Sequence, residues 1–118
     1  MKRDAAVYLD DIIESIRKIE EYTKGLDLEG FTKDFKTQDA VIRNFEIIGE
    51  AARSIPSEIK KKYPLVPWKS MIGMRNKMIH EYSGIMLEVV WKAVKEDIPP
   101  LEKHLKEIRA KQKILKLL

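Results

Sequence analysis

Apolar residues recur every three or four positions along almost the whole chain, and nowhere do they alternate with period two for long. That spacing lines one stripe of an α-helix and cannot build the half-buried face of a strand. Leu9, Ile12, Ile16 and Ile19, with Ile13 beside them, predict a first amphipathic helix over residues 3–24. Gly25 is placed to end it, and Gly30 sits in the connection that follows. Thr37 reads as the N-cap of a second helix over residues 38–54. Ala40, Val41, Phe45, Ile47, Ile48, Ala51 and Ala52 cover more than one stripe of it, so it is expected to pack on two sides as the central helix.

Pro56-Ser57 restarts the chain as a short helix ending near Tyr63 and Pro64. Pro67 reads as the first residue of a fourth helix carrying Trp68, Met71, Ile72, Met78 and Ile79, broken at Ser83-Gly84. A fifth runs over residues 85–96, with Asp97 as a cap and Pro99-Pro100 as a break or kink. The sixth, over residues 101–118, carries Leu101, Leu105, Ile108 and Leu115. No Asn-Gly or Asp-Gly hairpin signal interrupts the pattern. The reading is an all-α, up-and-down bundle of four to five main helices, formed as a single domain over residues 1–118.

Composition narrows the chemistry. With 118 residues, 44% of them hydrophobic, the chain can bury a core, although 36% are charged. It has no cysteine, which excludes disulfide scaffolds, thiolate catalysis and zinc fingers, and only two histidines, which leaves little for a metal site. No apolar run is long enough for a membrane span and no signal peptide leads the chain, so a soluble cytoplasmic protein is expected, with no cofactor. The net charge of +4 resides in residues 101–118; the rest of the chain is neutral. That basic segment can steer a polyanion or simply be a solvated helix face.

There is no glycine-rich phosphate loop, no HExxH and no nucleophile elbow. Glu46 and Glu50 lie four apart, but ion pairing with Arg43 or Arg53 explains them better than a metal does. Trp68 and Trp91 read as core anchors and His104 as solvent-exposed. One cluster remains, residues 74–82, which gathers Arg75, Asn76, His80 and Tyr82 near a helix end. Asn76 and His80 share a face, while Arg75 is offset from His80 by about 140° and has the length to curl toward the same pole. Histidine exchanges protons near neutral pH, and arginine presents a permanently charged fork that fits a phosphate. Together they are a minimum for phosphodiester cleavage in which RNA supplies its own 2′-OH as nucleophile. A histidine near a helix C-terminus also does no more than complement the helix dipole, and the spacing leaves both readings open.

Arg75, His80 and Tyr82 fit the R-x4-H-x-Y pattern of the HEPN superfamily, and the chain resembles its HepT-like branch of small toxins more closely. The resemblance extends to three flanking blocks in order: residues 40–52, residues 68–76, and Val89-Val90-Trp91 with Asp97-Ile98-Pro99. It thus covers most of residues 5–105. The resemblance implies a homodimeric bundle whose paired motifs face a shared cleft and act as a metal-independent endoribonuclease. It implies His80 as general acid/base, Arg75 as the phosphate-binding group, Asn76 as an orienting polar residue, and Tyr82 as a site-shaping residue. It further implies a cognate minimal nucleotidyltransferase antitoxin that silences the toxin by attaching AMP to Tyr82. Two other readings compete. The chain can be a non-catalytic helical partner for a nucleotidyltransferase, or a simple RNA-binding bundle using its basic C-terminal helix.

Overall fold

The computed structural model describes residues 4–80 and 87–117, with the side chains of residues 79–80 and 113–117 outside the description. Every regular element among them is helical. Helix α1 (Ala5–Thr23) starts where the Asp4 carboxylate accepts the Ala6 N–H at 3.0 Å and ends at Gly25. Gly25 adopts φ +79°, the left-handed conformation that a glycine takes without strain. Leu9, Ile12, Ile16 and Ile19 are completely buried, as their spacing predicts.

The connection after α1 holds a helical turn that the periodicity does not announce, α2 (Leu28–Lys33). The Asp27 carboxylate caps it by accepting the Gly30 N–H at 2.7 Å. It carries one fully buried residue, Phe31, whose ring stands 5.2 Å from Trp91. Six residues are too few for a 3.6-residue period to show, and Gly30 within them, with Gly25 shortly before, disguises them as loop.

Helix α3 (Phe35–Ser54) begins three residues earlier than expected. Its cap is Asp34, which accepts the Thr37 N–H at 3.0 Å and the Thr37 hydroxyl at 2.7 Å, so Thr37 lies inside the first turn. Those bonds hold the Asp34 carboxyl below its usual range. The two-sided pattern has its expected consequence: α3 packs on α1 along one side and on α5 along the other. Gln38, buried in its first turns, donates to the Phe31 carbonyl at 2.8 Å and ties α2 to α3.

The short α4 (Ser57–Lys62) and α5 (Trp68–His80) follow, with Pro67 standing as the cap of α5 rather than its first residue. Trp68 is buried and donates through Nε1 to the Tyr63 carbonyl at 3.0 Å. The predicted break at Ser83-Gly84 lies outside the described residues.

The largest departure concerns the two prolines. Helix α6 (Leu87–Lys92) passes through a π-helical turn (Ala93–Asp97) directly into α7 (Ile98–Leu117). Of the expected break or kink, no break occurs: Pro99 and Pro100 lie inside the first turn of α7 behind a π-helical irregularity, and Asp97 is no cap. A proline lacks the N–H that an α-helix needs at its own position, and the wider turn ahead of them absorbs the mismatch. Buried Ile98, Leu101, Leu105 and Ile108 hold α7 against the body, where α1 is its main partner. No helix among the described residues is long and apolar enough to cross a membrane.

Candidate active site

Helix α5 is divided into two unlike faces. Trp68, Met71 and Met78 are buried, while Lys69, Ser70, Gly73, Asn76 and Lys77 are exposed. Arg75 falls on the buried side, in register with Met71 and Met78, and is half-buried. A charged residue can occupy that register only if the neighbouring helix leaves room, and Gly49 of α3 leaves it. A Cβ placed on Gly49 would overlap the Arg75 Cβ and stand 3.1 Å from its Cα and 2.9 Å from the Met71 carbonyl oxygen. The backbones of α3 and α5 thus meet at this glycine, and Arg75 stands directly against it.

From that position the Arg75 side chain curls back toward the solvent face, as its length allows. Its Nη1 donates to the Asn76 Oδ1 at 3.2 Å. Its Nε is buried and has no acceptor among the described residues. A guanidinium carries five N–H donors, and among the described residues only Asn76 accepts from this one. The carboxylates beside Gly49 in sequence do not claim them. Glu46 and Glu50 both pair with Arg43, at 3.2 and 3.6 Å, as the sequence suggests. A positive group kept from its neighbouring acids remains available to an anion.

His80 is the last residue of α5, one turn beyond Asn76. Its side chain, and the whole of Tyr82, lie outside the described residues. The structure therefore brings together Arg75 and Asn76, and places position 80 at the end of the same helix.

Two further sequence expectations meet the geometry. Trp68 and Trp91 are core anchors, the second partly buried against Phe31 and beneath Lys95, whose Nζ is 4.8 Å from its ring. His104, expected in solvent, is half-buried. It lines an apolar cleft of about 360 Å³ with Met71, Met74, Ile98 and Leu101, because α7 turns that position toward α5. The basic C-terminal helix is partly neutralised: Arg109 forks onto Asp10 at 2.7 and 3.3 Å, and Lys106 pairs with Glu102 at 3.6 Å. The residue that spacing arguments miss is Gly49. It is the one glycine of α3, beside Ala51 and Ala52, a signal legible only once its neighbour is known.

The ribonuclease HepT-like family matches residues 12–108. A protein of Thermococcus cleftensis named "Probable ribonuclease HepT" is 50% identical over 109 residues, 92% of this chain and 99% of its own. A candidate RNase of Methanocaldococcus jannaschii is 47% identical, covering 87% of this chain and 94% of its own. A third relative, named as a candidate RNase of Caldanaerobacter subterraneus, is 42% identical over 90% of this chain and 95% of its own. No solved structure matches the chain. With the family covering the bundle from α1 to α7, and so the helix that carries Arg75, Asn76 and His80, the chain belongs to the HepT-like ribonuclease family.

Proposed function

We propose that this chain is a metal-independent endoribonuclease and the toxin of a toxin–antitoxin pair, working in the cytoplasm as a homodimer. The observation that carries the reading is Arg75, a half-buried cation with donors that no described residue claims, held against α3 beside Asn76 on the helix that ends at His80. The family match supports the RNA substrate.

The chemistry follows from these groups. The ribose 2′-oxygen attacks the adjacent phosphorus, a histidine imidazole takes the 2′-OH proton, and the bond to the 5′-oxygen breaks. A second proton donor meets the departing 5′-oxygen, leaving a 2′,3′-cyclic phosphate on one fragment and a 5′-OH on the other. Arg75 stabilises the charge that builds on the phosphoryl oxygens, and Asn76 holds the guanidinium through its Oδ1 while its amide N–H groups can donate to the same phosphate. Each subunit supplies one motif histidine, so a twofold axis that brings two His80 residues together provides both base and acid. A cognate minimal nucleotidyltransferase would silence the enzyme by attaching AMP to Tyr82, which puts phosphate charge next to Arg75 and His80.

The test is cleavage of a mixed RNA pool in excess chelator by the parent and by His80→Ala, with product ends analysed and the intact mass recorded. Cleavage by the parent alone, giving cyclic phosphate ends, is the expected result. Equal cleavage by both would remove His80 from the mechanism, and light scattering that finds only a monomer would remove the shared cleft.

A further inference from the structure

The solvent face of α5 has a charge pattern that the cleavage chemistry does not use. Helix α5 contains no Asp or Glu in its 13 residues, whereas α1 and α3 carry both signs. Among its described side chains, the exposed residues are Lys69, Ser70, Gly73, Asn76 and Lys77. At 3.6 residues per turn, Lys69, Gly73, Asn76 and position 80 fall within about 60° of arc, with Lys77 about 40° further round. Lys69 and Lys77 stand eight residues apart, about 12 Å along the axis at 1.5 Å per residue. Neither lysine makes an ion pair among the described residues. Between them Gly73 is exposed, and a Cβ built there meets nothing within 4 Å. Glycine costs helix stability in mid-helix, and no packing against Gly73 accounts for it. Its effect is a bare stretch of backbone between two cations with no acidic partner among the described residues, on a line that leads to the end of the helix where His80 stands.

We propose that this face is the track on which the RNA strand lies, with Lys69 and Lys77 each neutralising a phosphate and Gly73 admitting the backbone close to the helix. The proposal takes the substrate class from the ribonuclease reading but does not depend on which residue moves the proton. The C-terminal helix is the rival for this role: Arg109 and Lys106 are paired with acids there, while Lys103 and Lys111 pair with none among the described residues.

The experiment measures binding of a fluorescein-labelled, single-stranded RNA oligomer by anisotropy from 50 to 200 mM salt, on a full-length His80→Ala background that keeps the probe intact. Losing two phosphate contacts on a single strand lowers the slope of log affinity against log salt by about 1.4. The Lys69→Gln/Lys77→Gln variant is therefore weakened most at low salt, and its deficit shrinks about sevenfold across that range. Gly73→Glu adds a Cβ that meets nothing within 4 Å and is expected to weaken binding further without lowering the melting temperature. In the cleavage-competent chain the lysine pair is expected to raise KM and leave kcat unchanged. An unchanged salt slope overturns the proposal. So does an equal change from Lys103→Gln/Lys111→Gln, which would place the strand on α7, or dissociation of an oligomer by the α5 variants, which would make this face a contact between copies. Failure of the parent to cleave, with the lysine effect on binding intact, sinks the ribonuclease reading and leaves the track standing.

Discussion

Replacing Gly49 by alanine tests the contact that the site depends on. The added methyl group meets three atoms of α5: it overlaps the Arg75 Cβ, and lies 3.1 Å from the Arg75 Cα and 2.9 Å from the Met71 carbonyl oxygen. Two of these are backbone atoms, so no rotamer change relieves the clash and α5 itself must recede. Overpacking of this kind costs about 1–3 kcal/mol. Alanine returns roughly 0.5–1 kcal/mol through its better helix propensity. The expected net loss is about 1–2 kcal/mol, a fall of roughly 4–8 °C in Tm for a domain of this size. Displacing Arg75 by a fraction of an ångström to an ångström lowers cleavage by up to about 100-fold, since catalytic groups tolerate little misplacement. Gly73→Ala is the internal control. It lies on the same α5 but meets nothing within 4 Å, so its Tm is expected to rise by about 2–4 °C. Thermal melts by circular dichroism and a cleavage assay on both variants decide the matter. A Gly49→Ala protein as stable and as active as the parent would refute the close approach of α3 and α5.

Arg75→Lys keeps the charge but loses the planar fork, and cleavage is expected to fall at least about 100-fold with an unchanged melt, measured as kcat at saturating RNA. Stability should decline as pH rises from 5 to 8 because of one carboxyl on α1. Glu20 is pushed up to about 7 by sharing a hydrogen bond with Glu102, with partial burial and the Glu102 charge adding to the effect and Lys106 opposing it. A folded-state value above the unfolded one favours the protonated form, so this contribution is full below the ordinary glutamate range and lost as pH passes through about 7. Glu20 is exposed enough for solvent to screen the effect to less than about 1 kcal/mol. Glu20→Gln should flatten the profile and be the more stable protein at pH 8, read from denaturant midpoints at several pH values. Gln38→Met should cost about 1 kcal/mol, because it removes the 2.8 Å bond from Gln38 and leaves the Phe31 carbonyl with only the Asp34 N–H at 3.3 Å, and a chemical denaturation curve measures it.

Much of this architecture could be read from residue spacing. The apolar periods of α1 and α3 gave their faces, and the two-sided pattern of α3 predicted its place between α1 and α5. The ends were less legible. Asp34 rather than Thr37 caps α3 because both are good cap residues within one turn, and only the backbone conformation selects between them. The Pro99-Pro100 pair carries a strong break signal, yet the chain remains helical through a π turn because packing of Ile98 and Leu101 outweighs the lost hydrogen bonds. His104 was misread because alternation of charge along α7 says nothing about which neighbour the helix turns it toward.

The sequence by itself determined the class of fold, the residues of the motif and the family, since periodicity and local order are properties of neighbours along the chain. It also held the absence of acids on α5, a fact of composition. Only the tertiary structure decided what these mean together. Arg75 sits in the buried register of its helix, where the two backbones can approach this closely only if the opposing surface is bare. Gly49, 26 residues earlier in the numbering, supplies that bare surface. Contact between residues far apart in sequence follows from how whole helices pack, and no local spacing encodes it.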